Sequence, residues 1–512
     1  MMWLLGCLLT PFTTAVICLF CRRQIKIVRF VGVSGAGVLF FVSAMLLGEV
    51  LESGYIVLQL GSWPAPYGIT LIVDLLSASM VVITGLIAFT VAIYSIRDIE
   101  DRLVQSNYFA LFHFLVMGVN GAFVTGDLFN LYVWFEIMLI ASFVLITLGG
   151  GRDQLEGGVK YLVINLVSST LFLSGVGLLY GELGTLNMAD IANKLADAPN
   201  AFSITSSTML LLGAFGIKAA LFPFFFWLPA SYHTPRVAVS ALFAGLLTKV
   251  GVYALIRSYT LIFSTQFILV QGSLLFLAAA TMVTGVLGAA VQYEIRKILS
   301  FHIISQIGYM VMGLAIGSSL ALAGAVFYIL HHIIVKTNLF LIGGLIMRKC
   351  GTAELKKIGG LYSTMPLLAL LFFIPAFSLG GIPPLSGFWA KFSVIKAGLD
   401  RNHTVLVTVA LIVGVLTLYS MTKIWAEAFW KNAPAEQSKD SDQATGLLQN
   451  SLNFSLVFPC VILAVITIAI GLWSEPLFSL AERTSQQLLN PDAYIAAVLE
   501  RTNNEPIAKL DH

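Results

Sequence analysis

The chain has 512 residues, of which 58% are apolar and 11% charged, with a mean hydropathy of +0.91. A soluble globular protein carries about a quarter charged residues, so that class is excluded. A net charge of +3, with no long basic run, gives no reason to expect a nucleic-acid partner.

Apolar runs of about 20 residues, the length a helix needs to cross a bilayer core, recur along nearly the whole chain. Fourteen helices are predicted, near 3–21, 30–50, 73–95, 106–125, 128–149, 158–180, 206–226, 237–256, 267–291, 298–316, 320–346, 365–396, 404–428 and 452–474. The first, MMWLLGCLLTPFTTAVICLF, lacks a basic leader and is long enough to span, so it reads as a transmembrane helix and not a cleaved signal. The runs are continuously apolar and do not alternate, which argues against strands. Cys18 and Cys21 have no second pair at metal-ligand spacing, and the five cysteines read as spectator thiols. No metal or cofactor is called for.

Basic residues orient the predicted bundle. With the N-terminus outside, eighteen fall in inner loops or adjoining helix ends, from Arg22 and Arg23 to Lys431 and Lys439. The outer loops hold three: Lys194, Arg257 and Arg401. Arg483, Arg501 and Lys509 lie in the tail, which an even number of spans also places outside. This excess follows the positive-inside rule, so both termini are expected outside a cell inner (plasma) membrane.

The remaining basic residues, Lys218, Lys249, Lys336, Lys391 and Lys396, fall within predicted spans, the last near an edge where it can snorkel. Glu136 sits inside GDLFNLYVWFEIMLIASFVLITLGG. A charge at mid-bilayer costs about 2.5–3.5 kcal/mol even on the gentlest insertion scale. Buried ion pairs explain one such residue, but one glutamate cannot neutralise four lysines. Burial and mutual repulsion both favour the neutral amine, so such lysines can gain and lose protons. In YILHHIIVKTNLFLIGG, His332 and Lys336 are four apart and share a helix face. Imidazole can pass protons near neutral pH, which makes His332 a relay residue and His331 and His302 further candidates.

Two spans carry helix breakers beside their lysines. GIKAALFPFFFWLPASYHTP puts Pro223 and Pro229 after Lys218, and SLGGIPPLSGFWAKFSV puts Gly381, Pro383 and Pro384 before Lys391. Discontinuous helices at corresponding places in two halves point to transport sites. They fall on the seventh and twelfth predicted spans, five apart, which suggests two inverted five-helix repeats. The expected organisation is 1–100 (three helices), 101–260 (first repeat), 261–430 (second repeat) and 431–512 (last helix and tail). The tail's LFSLAERTSQQLLNPDAYIAAVLE reads either as an amphipathic surface helix or as a capping segment.

With GDLFNLYVWFEIMLIAS, these motifs resemble the antiporter-like membrane subunits shared by respiratory complex I, membrane-bound hydrogenases and Mrp multisubunit cation/proton antiporters. The resemblance covers about residues 74–396, and the GDLFN opening is most similar to the D-type Mrp subunits. It implies an all-α polytopic protein with fourteen core helices and two inverted five-helix repeats. It also implies a proton relay in which Glu136 and Lys218 serve the first half, Lys249 the connection, and Lys336 and Lys391 the second half, with His332 as the central histidine. The expected function is proton translocation in a cation (Na+)/proton antiporter, with the other subunits as partners. The alternative is a proton-pumping subunit of a hydrogenase or NADH:quinone oxidoreductase-type complex. A haem or copper oxidase, raised by the His331–His332 pair, needs more buried histidines than His233, His403 and His512 supply.

Overall fold

The computed structural model describes residues 1–197, 202–433 and 453–500. Lys439, Arg501, Lys509 and His512 lie outside the described residues. In chain order the helices are α1 (Met2–Phe20), α2 (Ile25–Ser53), α3 (Leu75–Asp98), α4 (Asp101–Gln105), α5 (Tyr108–Val124), α6 (Leu128–Thr147), α7 (Arg152–Leu183), α8 (Met188–Asp197) and α9 (Phe202–Ala219). There follow α10 (Trp227–Ser231), α11 (Val237–Gly245), α12 (Leu247–Arg257), α13 (Phe267–Val291), α14 (Ile295–Ile316) and α15 (Ser319–Cys350). The last are α16 (Leu361–Thr364), α17 (Pro366–Gly380), α18 (Ser386–Asp400), α19 (Thr404–Trp425), α20 (Phe454–Leu472), α21 (Glu475–Leu488) and α22 (Pro491–Leu499). Among the described residues, twelve helices are long and apolar enough to cross a membrane, and α5 and α17 are shorter apolar helices beside them.

A helix that is apolar all round belongs in the interior. That role falls to Val237–Ile262 and to α15, whose apolar windows are wholly buried. Helices such as α1, α2 and α7 bury only one face and present Phe30, Phe41 or Val163 outward. Polar residues on α15 therefore have nowhere to go but the core.

Strands are absent from the spans, as expected, but the connection between α2 and α3 holds a two-stranded hairpin. Ile56–Gln59 pairs antiparallel with Thr70–Val73, in register Ile56↔Val73 to Gln59↔Thr70. These β-branched segments enclose a Gly/Pro-containing turn. Gly126 N donates to Thr70 O at 2.9 Å, which fixes the start of α6 against the hairpin.

The long helices alternate in direction, so the loops fall at two ends. The hairpin end carries α21 and α22. The opposite end collects the basic loops, tied together by Arg236–Glu100, by Arg29–Asp101 at 2.8 Å and by Asp98 Oδ2 accepting from Ala238 N at 2.9 Å. Arg257, expected in a loop, is instead buried at the end of α12 and paired with Asp74. Lys396 is exposed, as its edge position suggested.

Among the described residues, three interior helices are interrupted. Between α9 and α10 the chain leaves the helix at Ala220 (φ +60°), turns through Pro223 and makes a short 3-10 turn at Phe224–Phe226. Pro229, expected to break the helix, is the third residue of α10. In a first helical turn the missing N–H is one that has no partner anyway, so this proline interrupts nothing. Between α17 and α18, Gly381 (φ +90°), Pro383 and Pro384 make the expected break. The third interruption, at Leu246 between α11 and α12, was not expected.

Candidate functional site

The first-half acid lies at the edge of the bundle. Glu136 was expected inside, yet it is only half-buried, because α6 turns Phe129, Val133 and Ile140 outward and Glu136 borders that face. Its carboxylate accepts a hydrogen bond from Ser169 Oγ on α7. Lys218, buried in the last turn of α9, holds its Nζ 5.4 Å from the centre of the Phe135 ring. The two charges feel one another, but no ion pair joins them.

Lys249 on α12 is wholly buried and donates to Ala244 O, a carbonyl next to the Leu246 interruption. One turn of α12 touches the end of α9: a Cβ on Gly251 would come 2.5 Å from Ala219 N and 2.8 Å from the Lys218 carbonyl carbon. Glycine at 251 thus lets the helices of the first and central lysines meet backbone to backbone.

On α15, Lys336 is wholly buried and donates to Leu299 O of α14 at 3.1 Å. His332, one turn earlier, lies within electrostatic range of Lys249, Lys336, His331 and His302. His302 on α14 is in range of Lys336 and Lys391. Neither histidine has a protein hydrogen-bond partner on either ring nitrogen. His331 points the other way, with Nδ1 2.7 Å from Ser386 Oγ, which is 3.0 Å from Ser378 Oγ. Lys391, five residues beyond Ser386 on α18, donates to Gly380 O at 3.0 Å and lies 5.2 Å from the centre of the Tyr309 ring.

The fold therefore gathers Lys249, His332, Lys336 and His302 at the centre. Lys391 and His331 sit around the second break, and Lys218 and Glu136 lie beside the first without touching. Among the described residues, none of the four buried lysines is ion-paired, and the one interior pair is Arg257–Asp74. Thr248 Oγ1, Ser305 Oγ and both polar atoms of Asn338 are also buried without a protein partner. Buried polar groups are rarely left unsatisfied, and polar interiors of this kind hold water. Amines and imidazoles gathered in an apolar interior can exchange protons through bridging water.

Sequence reasoning missed Ser169, Ser378, Ser386 and Tyr309. The serines flanking the second break were legible as polar residues in an apolar span. Ser169 and Tyr309 gave no signal without the contacts.

A family model described as NADH:quinone oxidoreductase/Mrp antiporter, TM, matches residues 125–417, which contain Glu136 and all the interior lysines and histidines named above but not Asp74. The chain is 44% identical over 493 residues to the D-type Na(+)/H(+) antiporter subunit of Alkalihalophilus pseudofirmus, covering 96% of this chain and 98% of that protein. Among solved structures it resembles a chain of the Mrp complex from Dietzia sp. DQ12-45-1b, with TM-score 0.88, 33% identity and coverage of 97% and 99%. A chain of the membrane-bound sulfane sulfur reductase, an archaeal respiratory membrane complex, gives TM-score 0.88 at 25% identity over the same shares. The chain belongs to the NADH:quinone oxidoreductase/Mrp antiporter family of membrane subunits, among the relatives of the D-type Na+/H+ antiporter subunits.

Proposed function

We propose that this chain is the proton-translocating subunit of a multisubunit Mrp-type cation (Na+)/proton antiporter, working with the other subunits of that membrane complex and not as an enzyme. The observation that carries the reading is the row of interior lysines and histidines without carboxylate partners. A packing role has no use for uncompensated cations, each costing about 2.5–3.5 kcal/mol to insert. Resemblance to the D-type subunits supplies the antiporter.

In this reading Glu136 is a switchable partner for Lys218. Bringing the two together favours both ionised forms, and parting them releases the lysine's proton. Their separation here is compatible with the parted arrangement of that cycle. Lys249, His332 and Lys336 carry the proton across the centre, and His302 and His331 lie beside the path. Lys391 exchanges it with the far side. These groups titrate together, so no one proton belongs to one residue. Each lysine or histidine on this line becomes a cation whenever it carries the proton and then repels Na+, which supports a cation path outside it.

The breaks at Pro223 and at Gly381, Pro383 and Pro384 support two inverted five-helix repeats, 101–260 and 261–430, flanked by 1–100 and 431–512. Counting α5 and each broken helix as crossings supports fourteen spans, which puts both termini on one side. The excess of basic residues at the opposite end supports the termini lying outside. A redox-driven pump is the second reading, favoured by the equal TM-score to the sulfane sulfur reductase chain. The 44% identity to an antiporter subunit weighs against it.

The test is cation-dependent dissipation of a pH gradient in everted vesicles carrying the complete complex. Glu136→Ala and Lys218→Ala should each abolish exchange while the complex still assembles. Wild-type exchange in either variant would remove the proposed roles.

A further inference from the structure

The proposed relay leaves one buried charged cluster unused. Asp74 and Arg257 are 2% and 4% exposed and meet at 2.7 Å. Asp74 caps α3 by accepting from Ser77 N at 2.9 Å, and Arg257 ends α12. Lys249, Tyr253 and Arg257 recur every four residues on α12, so they form one stripe from the central lysine towards the hairpin end. Tyr253 sits mid-stripe: its hydroxyl donates to Phe123 O at 2.8 Å and lies 3.0 Å from Ser77 Oγ. Arg257 Nη2 reaches both the Ser77 hydroxyl, at 3.3 Å, and the Tyr253 hydroxyl, at 3.4 Å.

The C-terminal helices close this stripe. Tyr494 of α22 is buried with its ring centre 5.3 Å from the guanidinium carbon, and Tyr55 packs edge-on against it at 6.3 Å. Gln487 of α21 accepts from Leu75 N at 3.0 Å, next to Asp74, and donates to Gly54 O at 3.1 Å. Polar side chains thus occupy successive turns of α12 from Lys249 towards the hairpin end, although the Lys249 amine itself bonds back to Ala244 O. The stripe ends on a cation that does not give up its proton. A guanidinium stays charged at every physiological pH, so it cannot relay. An arginine at a constriction is also a barrier to protons and cations. Asp74 makes burial of that charge tolerable.

We propose that the Asp74–Arg257 pair, roofed by Tyr494, is a proton seal that keeps Lys249 from exchanging protons with the aqueous face at the hairpin end. Protons then reach that face only through the Lys391 half. These are positioning residues, not relay residues, and the inference rests on the proposed proton-carrying role of Lys249.

The experiment measures decay of an imposed pH gradient, without Na+, in proteoliposomes of the complete complex. Arg257→Lys keeps the ion pair but supplies an amine that can release its proton, so the leak should rise about fivefold or more with assembly unchanged. Tyr494→Ala, which uncovers the pair without altering it, should raise the leak about twofold. Lys249→Ala combined with Arg257→Lys should return the leak to the wild-type level. A purely structural pair predicts no leak in Arg257→Lys, and that result overturns the seal, as does a leak that survives Lys249→Ala. If Arg257→Lys fails to assemble, the Tyr494→Ala leak, with and without Lys249→Ala, decides the matter. Wild-type antiport in Glu136→Ala and Lys218→Ala would sink the proposed function itself. Loss of antiport there with no leak here sinks the seal alone.

Discussion

Two helices are broken beside a lysine, and their freed backbone groups are used differently. At the first break Trp227 Nε1 donates to Ile217 O at 3.2 Å, Ala220 N to the same carbonyl at 3.0 Å and Leu221 N to Gly216 O at 2.9 Å. Lys218 does not share these carbonyls and instead rests near the Phe135 ring, with Glu136 in its neighbourhood. At the second break Gly380 O takes the Lys391 ammonium directly. Lys218 precedes its break and Lys391 follows its own, and their helices run in opposite directions. Both lysines therefore lie on the hairpin-end side of their interruption. One half leaves its lysine near a side-chain carboxylate but not bonded to it, and the other ties its lysine to a backbone carbonyl. That difference suits a switched donor on one side and a standing exchange site on the other.

The comparison can be broken most forcefully at the amines. Lys391→Ala is expected to reduce cation-dependent exchange in vesicles by at least about tenfold, or ~1.4 kcal/mol of barrier. Glu136→Gln should match that loss through the first half alone. Equal activity of Glu136→Gln and wild type would erase the distinction.

The backbone gives a sharper, opposite-signed pair. Gly381→Ala forces an alanine to φ +90° and sets its Cβ 2.9 Å from Lys391 Cδ. It should lower stability of the solubilised complex by about 1–2 kcal/mol, the cost of a left-handed residue with a Cβ. Ala220 already holds φ +60° at the first break, so Ala220→Gly should leave stability unchanged or raise it by up to about 1 kcal/mol. Thermal unfolding followed by tryptophan fluorescence reads both. Next in size, Trp227→Phe removes the indole donor from the buried Ile217 carbonyl and should cost about 1 kcal/mol beyond lost packing.

The smallest effect concerns pH. His233, in the loop joining the first broken helix to α11, is pushed down to about 4 by burial and by the nearby Lys297 and Arg296 charges, against a bond to Pro229 O. A histidine held neutral in the folded state contributes stability above its ordinary value, and loses it as pH falls towards about 4. His233→Gln should flatten the fall in melting temperature across that window. An unchanged slope would show that other groups set it.

Much of this fold is legible because long apolar runs admit few readings and a lysine within one is conspicuous. Gly381 and Pro383 announce their break by chemistry alone. The Leu246 interruption does not, since the sequence there is continuously apolar; only the structure shows Gly245 beside it packed against Thr337 of α15. Periodicity cannot say which face of α6 packs, because the helix is apolar all round, so Glu136 reads from the sequence as an interior residue. Arg257 looks like a loop cation because its partner, Asp74, is 183 residues away in sequence. Pro229 misleads for a local reason, its place in a first turn.

In the proposed relay Lys249 joins the halves, since α12 touches the Lys218 turn on one side and the lysine lies within electrostatic range of His332 and Lys336 on the other. The most direct measurement is Na+-driven proton movement in vesicles containing the assembled complex with Lys249→Ala. Loss of exchange, with both terminal lysines intact and the complex at its normal level, is the expected result. Exchange at the wild-type rate would mean that protons do not cross between the halves along this line.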